Sequence, residues 1–239
     1  MATPRISEMF GPSPLELAAL CDWIGRELTD TGTRAGALEA VSRLAVTRVP
    51  GADRGSITER RRNRFATVAA TDDTARALDA IQYDARTGPC VEAILRDTSC
   101  RISDLDGDGR WPAPTAYGVR SVLSLPFPVI EDDARIVLNL YSERPHAFDD
   151  VAETVGALVT SHGALAVAAA AARERAENLR VALATNREIA MAVGVVMVER
   201  GLGREEALHL LRTASQNVNR KLADIAAVVL TAGTATALP

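Results

Sequence analysis

The chain is poor in lysine, cysteine and histidine, and each scarcity excludes something. Lys221 is the only lysine; every other one of the 27 cationic side chains is arginine. Acidic residues number 31, so the net charge is −4. No global basic field draws in nucleic acid, and any such contact must come from a local patch. The three cysteines, Cys21, Cys90 and Cys100, show no CxxC spacing. An odd, unpaired set fits a reducing compartment and not a disulfide scaffold. His146, His162 and His209 lack metal-ligand spacing, and neither a GxSxG nor a P-loop pattern occurs, so no enzyme, metal or cofactor chemistry is expected. The N-terminus has no apolar stretch behind a basic start, and the longest apolar run, ALAVAAAAA (164–172), is too short to span a bilayer. These features predict a cytoplasmic protein without a membrane partner.

What is present is a change of periodicity along the chain. PSPLELAALCDWIGREL places Leu17, Leu20, Cys21, Ile24 and Leu28 on one helical face, and a second helix turns Leu38, Val41, Leu44 and Ala45 inward. GSITERRRNRFATVAA reads as two strands with an arginine-rich hairpin turn at 61–64. DDTARALDAIQ and GPCVEAILRD read as helices, the second opened by Gly88-Pro89. CRISDL then reads as a strand, DGDGRWPAP as a loop, and SVLSLPFPVI with RIVLNLYS as a hairpin. DGDG lacks the further oxygen ligands of a calcium loop. This pattern predicts an α+β domain with an antiparallel sheet over residues 13–150.

From Val151 to Met197 a four-three spacing of apolar residues runs on without a proline, through Leu158, Leu165, Ala172, Leu179 and Leu183. Such a repeat predicts a coiled-coil seam and a parallel homodimer, or else a long helix lying on its own domain. His162 and Asn186 sit on the seam as polar residues that fix register. The coupling helix is assigned to 151–185. Glycines at 201 and 203 stop it, REEALHLLRTAS restarts a helix, and RKLADIAAVVL forms a last one. Residues 231–239 read as a flexible tail.

Two stretches resemble known families. NREIAMAVGVVMVERGLGREEALHLLRTASQNVNRKLADIA, within 186–230, resembles the ANTAR domain, an RNA-binding three-helix module of bacterial transcription antiterminators. GPCVEAI, DLDGDGRWP, GVRSVLSLPF and LNLYSERPHAFD resemble, in that order, the GAF domains that accompany ANTAR. The GAF resemblance implies a six-stranded, largely antiparallel sheet used for sensing, with an unidentified small-molecule effector. The ANTAR resemblance implies binding of nascent mRNA that forms two neighbouring stem-loops, which prevents the competing terminator hairpin.

On that resemblance the RNA face is expected at Ala190, Ala192 and Gly194, whose small side chains allow close approach. Arg187, Arg212, Arg220 and Lys221 are expected as phosphate contacts, and Ser215 and Asn219 as hydrogen-bonding groups. Ser215 and Asn219 also have plain readings as residues that close one helix and cap the next. Val193 stands where family members commonly carry lysine. Residues 186–230 hold six basic and five acidic side chains, so RNA binding is expected to weaken quickly with salt. Cys90, at a helix start where a thiolate is favoured, is a candidate redox-sensitive thiol, with a packed structural cysteine as the alternative. The competing function is a ligand- or redox-sensing dimerisation scaffold whose C-terminal helices bind protein or DNA.

Overall fold

The computed structural model describes residues 13–29, 31–109, 111, 117–128 and 134–236. The chain divides into two compact units, residues 1–174 and 175–239.

In the first unit, α1 (Pro14–Leu28) and α2 (Arg34–Arg48) precede the hairpin β1 (Arg54–Arg61) and β2 (Arg64–Ala70). Then come α3 (Asp73–Ala85), α4 (Pro89–Arg96), β3 (Cys100–Ile102) and the short α5 (Leu105–Asp108). The sheet is completed by β4 (Ser121–Pro126) and β5 (Ala134–Ser142). The strands pair antiparallel in the order β2-β1-β5-β4-β3. The class is the expected α+β. The described residues contain five strands where the resemblance implies six. The segment expected to be all loop after β3 contains α5, whose first turn is capped by Asp104, accepting from the Asp106 N–H at 3.3 Å.

Alternation along β5 separates two cores. Ile136, Leu138 and Leu140 face α1, α2 and the long helix α6 (Asp150–Arg200). Val137 and Tyr141 lie on the other face, toward α3 and α4. Both faces are covered, so β5 is buried throughout except at Arg135. The predicted inward residues Ile24, Leu28, Leu38, Val41, Leu44 and Ala45 are buried in the first core; the side chain of Leu17 lies outside the described residues. Pairing of β1 with β2 steps by one residue, from Ile57–Ala69 to Thr58–Thr67, leaving Val68 extra. That step exchanges the faces of β2, so Ala69 packs under Ile57 while Thr67 sits beside Thr58 on the opposite side.

The first half of α6 packs on this unit, burying Ala152, Val155, Val159, Val167 and Ala170 in the first core. The alternative of a helix lying on its own domain therefore describes residues 150–171. The α6 helix also contains the one stretch among the described residues that is long and apolar enough to cross a membrane, and half of that stretch is buried inside the protein. The seam positions point elsewhere: Leu165 is 72% exposed, and Leu179 and Leu183 are each 60% exposed. Residues 172–184 are exposed on every side.

In the second unit the end of α6 joins α7 (Arg204–Asn217) and α8 (Leu222–Thr236). Ala192, Val193, Val196, Ala207, Leu211 and Ala226 form its core. Gly201, at φ 65°, ends α6, and the Leu202 N–H reaches back to the Met197 carbonyl at 3.2 Å. Gly203 opens α7, with its N–H donating to the Glu206 carboxylate at 2.9 Å. The α8 helix runs to Thr236, so most of the expected tail is helical, as its alanine content and lack of an internal proline permit.

Two glycines with opposite surroundings test this packing. A Cβ on Gly51, at φ +87°, would lie 2.3 Å from the Ala147 carbonyl oxygen, whereas one on Gly194 would meet nothing within 4 Å. Gly51→Ala should cost the first unit about 2 kcal/mol, and Gly194→Ala should leave that unit unaffected. Trp23 and Trp111 are the only tryptophans and both lie in the first unit. The urea midpoint followed by tryptophan fluorescence should therefore fall for Gly51→Ala alone. An unchanged midpoint would show that the approach to Ala147 relaxes freely.

Candidate functional site

The surface of the second unit is built from helix spacing. Arg187, Ala190 and Gly194, three and four residues apart, form one stripe of α6. Arg187 and Ala190 are exposed and Gly194 is half-exposed. Ala192 is 0% exposed and sits in the three-helix core. This corrects its expected place on the RNA face: two residues past Ala190 is about 200° round the helix, so the two cannot share a surface.

A second group gathers at the turn between α7 and α8. Ser215 closes it from both sides: its hydroxyl donates to the Arg220 carbonyl at 2.5 Å, and its own carbonyl accepts from the Arg220 N–H at 3.0 Å. Asn219 takes the left-handed conformation, φ 50°, just past the end of α7. It does not cap α8. Lys221 immediately precedes the helix, and its carbonyl accepts the first intrahelical bonds, from the Asp224 and Ile225 N–H groups at 3.0 and 3.3 Å. The Arg220 guanidinium lies 4.0 Å from Asp224, whereas Lys221 is exposed and, among the described residues, forms no ion pair. Arg212 is exposed on α7.

Between α6 and α7 lies an open groove of about 350 Å³. Ile189, Val193, Met197 and Leu208 supply apolar walls, Ala190 and Gly194 leave one side low, and Asn186 and Arg204 are its polar members. Arg204 escaped the sequence reading, which turns Leu208 inward without placing it beside a groove. The signal was their four-residue spacing, continued by Arg212, which puts an arginine–leucine–arginine row along α7.

The first unit holds a polar interior that the sequence reading also missed. Asp79 of α3 is fully buried and accepts four hydrogen bonds. The donors are Ser56 at 2.8 Å, Thr67 at 2.7 Å, Asn139 Nδ2 at 3.2 Å and Tyr141 at 2.6 Å. No cation takes part in this set, and burial raises the Asp79 pKa against the lowering effect of its donors. The Tyr83 hydroxyl bridges Thr58 and Thr67 at 2.7 and 3.0 Å, and burial raises its pKa too. Spacing offered a clue: Asp79 and Gln82 fall with Ala75 and Leu78 on the inward face of α3.

Cys90 lies in this interior at 0% exposure, donating to the Thr58 hydroxyl at 3.2 Å. Burial, then the nearby Asp79 charge, pushes its thiol up to about 12. Of the two readings of Cys90, the burial favours the packed structural cysteine over the redox-sensitive thiol: desolvation outweighs the helix start. Beside this interior is a small, partly open cavity of about 20 Å³ against Leu78, Gln82, Trp111 and Tyr141, room for about one water.

Comparison with known proteins matches this architecture. The model describing the GAF domain matches residues 32–168, and that describing the ANTAR domain matches residues 177–230. Among solved structures, the GAF domain of a phosphoenolpyruvate-protein phosphotransferase from Coxiella burnetii is 14% identical, with a TM-score of 0.53 over 70% of this chain and 99% of that one. The corresponding Acinetobacter domain is 16% identical, with a TM-score of 0.50 over 66% of this chain and 96% of that one. The fRMsr of Staphylococcus aureus in its reduced form is 13% identical, with a TM-score of 0.51 over 66% and 97%. No curated protein sequence matches the chain.

Two outcomes follow for the interior. Because the folded-state pKa of Asp79 is raised, its contribution to stability is fully present below the ordinary 3.8 and is lost as pH rises through the folded value. Asp79→Asn should therefore gain on the native protein between acid and neutral pH, while Asp79→Leu, which strands three hydroxyls and an amide, should cost about 3 kcal/mol or more. Urea unfolding at several pH values checks both; a pH-independent Asn-minus-Asp difference would contradict the raised value. Iodoacetamide at pH 8 should label Cys21 and Cys100 well before Cys90, read by peptide mass spectrometry, and equal rates would contradict the burial.

Proposed function

Because this chain belongs to the GAF domain family and carries an ANTAR domain at its C-terminal end, we propose that it stabilises paired stem-loops in nascent mRNA against terminator formation, under control of the GAF unit. ANTAR is an RNA-binding antitermination module and GAF a sensory one, and both are regulatory and not catalytic. The mechanism needs no bond chemistry. It needs a protein that binds one RNA fold more tightly than its competitor and so shifts the balance between them.

The observation that carries this reading is the ANTAR match over a three-helix unit in which Arg187, Arg212, Asn219, Arg220 and Lys221 are each exposed. Ser215 acts by holding the turn that presents Arg220 and Lys221. A second copy is the proposed partner of the exposed stripe Leu165, Ala169, Ala172, Ala176, Leu179 and Leu183. Pairing brings two RNA-binding units together and raises the effective concentration of the second contact, which suits an RNA with two neighbouring hairpins. The effector acts on the GAF unit; its interior cavity, at about 20 Å³, lies far below the several hundred Å³ typical of a small-molecule site, so binding there requires the unit to open.

Binding to paired short-loop hairpins, single hairpins and duplex DNA at moderate salt tests the function. Paired hairpins should bind most tightly. Arg220→Ala with Lys221→Ala should weaken that binding about ten-fold and lower the salt slope by about 1.4, as expected for two lost phosphate contacts. A preference for duplex DNA would overturn the reading. Sedimentation should give twice the 25.4 kDa chain mass for the native protein, and the single-chain mass for Leu179→Glu with Leu183→Glu. A native monomer at all concentrations would remove the dimer.

A further inference from the structure

We propose that the groove between α6 and α7 holds one unstacked base, with its ribose, from the loop of a bound RNA hairpin. The proposal rests on the RNA-binding reading above and assigns that RNA a second kind of contact, separate from the cationic turn at Arg220 and Lys221.

The groove's chemistry matches a base better than a phosphate. Ile189, Val193, Met197 and Leu208 form its walls, and none of its lining residues is acidic. Apolar walls of this kind gain nothing from a phosphate, which is satisfied by cations and N–H donors, but they cover the face of an unstacked base. A base also needs hydrogen bonds at its edge. The Asn186 amide offers both a donor and an acceptor, and the Arg204 guanidinium offers a planar set of donors that also stacks. Among the described residues Arg204 forms no ion pair that would hold it away.

Access and charge point the same way. Gly194 borders the groove with open space where a Cβ would stand, so a flat ring can approach the helix backbone. Arg187 lies seven residues before Gly194 on the same stripe of α6, and Arg212 continues the row of Arg204 and Leu208 on α7. Arginines therefore flank the groove on both helices, in position to meet the phosphates on either side of an inserted nucleotide. A protein side chain from a second copy is the other occupant, but a row of arginines beside an apolar slot favours the nucleotide.

The test uses the full chain and an RNA chosen by the protein itself. A pool of RNAs with two adjacent hairpins and randomised short loops is selected on the native protein, and the best binder becomes the probe. Each loop position is then made abasic in turn. The native protein should lose about ten-fold or more at one position, the size of one lost base stack. Gly194→Leu puts a side chain into the groove from a position where a Cβ meets nothing within 4 Å; it should bind the intact probe as weakly as the native protein binds that abasic probe, and should lose no more than two-fold on the abasic change. Asn186→Ala, at an exposed position, should relax the choice of base at that position alone.

Equal abasic losses in native protein and Gly194→Leu would overturn the base site while leaving RNA binding intact. A flat abasic scan would do the same. If Gly194→Leu alters the assembly mass and not RNA binding, the groove is a contact between copies and the proposal is wrong. If the native protein retains no RNA from the pool, the antitermination reading falls and the base site falls with it.

Discussion

A carboxylate with no cation beside it organises the sensory unit. Asp79 is sealed between α3 and the sheet, and four donors from three strands converge on it. An isolated buried charge would be prohibitive, so each donor is obligatory, and each fixes the rotamer of its own strand residue. Ser56 and Thr67 bind the outer hairpin to α3, while Asn139 and Tyr141 bind the central strand. The same network reaches Thr58, Tyr83 and Cys90, so the position of α4 also depends on it. What a purely apolar face would leave free to slide, this set holds in one register. The adjoining cavity is accordingly small, and any signal that opens this interior must rearrange the hydrogen bonds together.

The second unit works by the opposite economy. Its core is made from alanine, valine and a few leucines, which lets three short helices pack closely and keeps larger apolar side chains near the surface. Small residues on α6 then serve two purposes by angle alone: Ala192 allows the helices to approach, while Ala190 and Gly194 leave the neighbouring groove shallow on one side. The unit's charged side chains lie on the exposed sides of the helices and at the turns.

Much of the fold was legible in the sequence because its elements announce themselves by period. The hairpin at 61–64, the glycine stop at 201 and the capping at Gly203 are all local, and the inward faces of α1 and α2 follow from their spacing. Features that depend on pairing between strands were not legible. The one-residue step at Val68, which carries Thr67 to the Asp79 side, has no local signature. At the recognition surface, the turn residues from Ser215 to Lys221 were readable as a cluster. Ala192 was misplaced by attending to composition instead of angle. Cys90 was left with two readings because a helix start is visible in sequence, whereas the depth of burial that opposes it is not. The groove needed two helices to be seen at once.

The stretch of α6 from 172 to 184, exposed on every side, makes chain length a matter of phase. Among the described residues, its bonds to the rest of the protein are confined to its start, where Arg173 donates to the Thr29 carbonyl at 3.4 Å and Glu174 accepts from the Arg34 N–H at 3.3 Å. Side chains beyond these and off the stripe are therefore free to vary, but the residue count is not. One added residue would swing the stripe through Leu179 and Leu183 by about 100°, three or four residues would nearly restore its direction, and a full seven would leave it within about 20°. Insertions and deletions here should thus be tolerated only in helical quanta, even where substitutions off the stripe pass without effect.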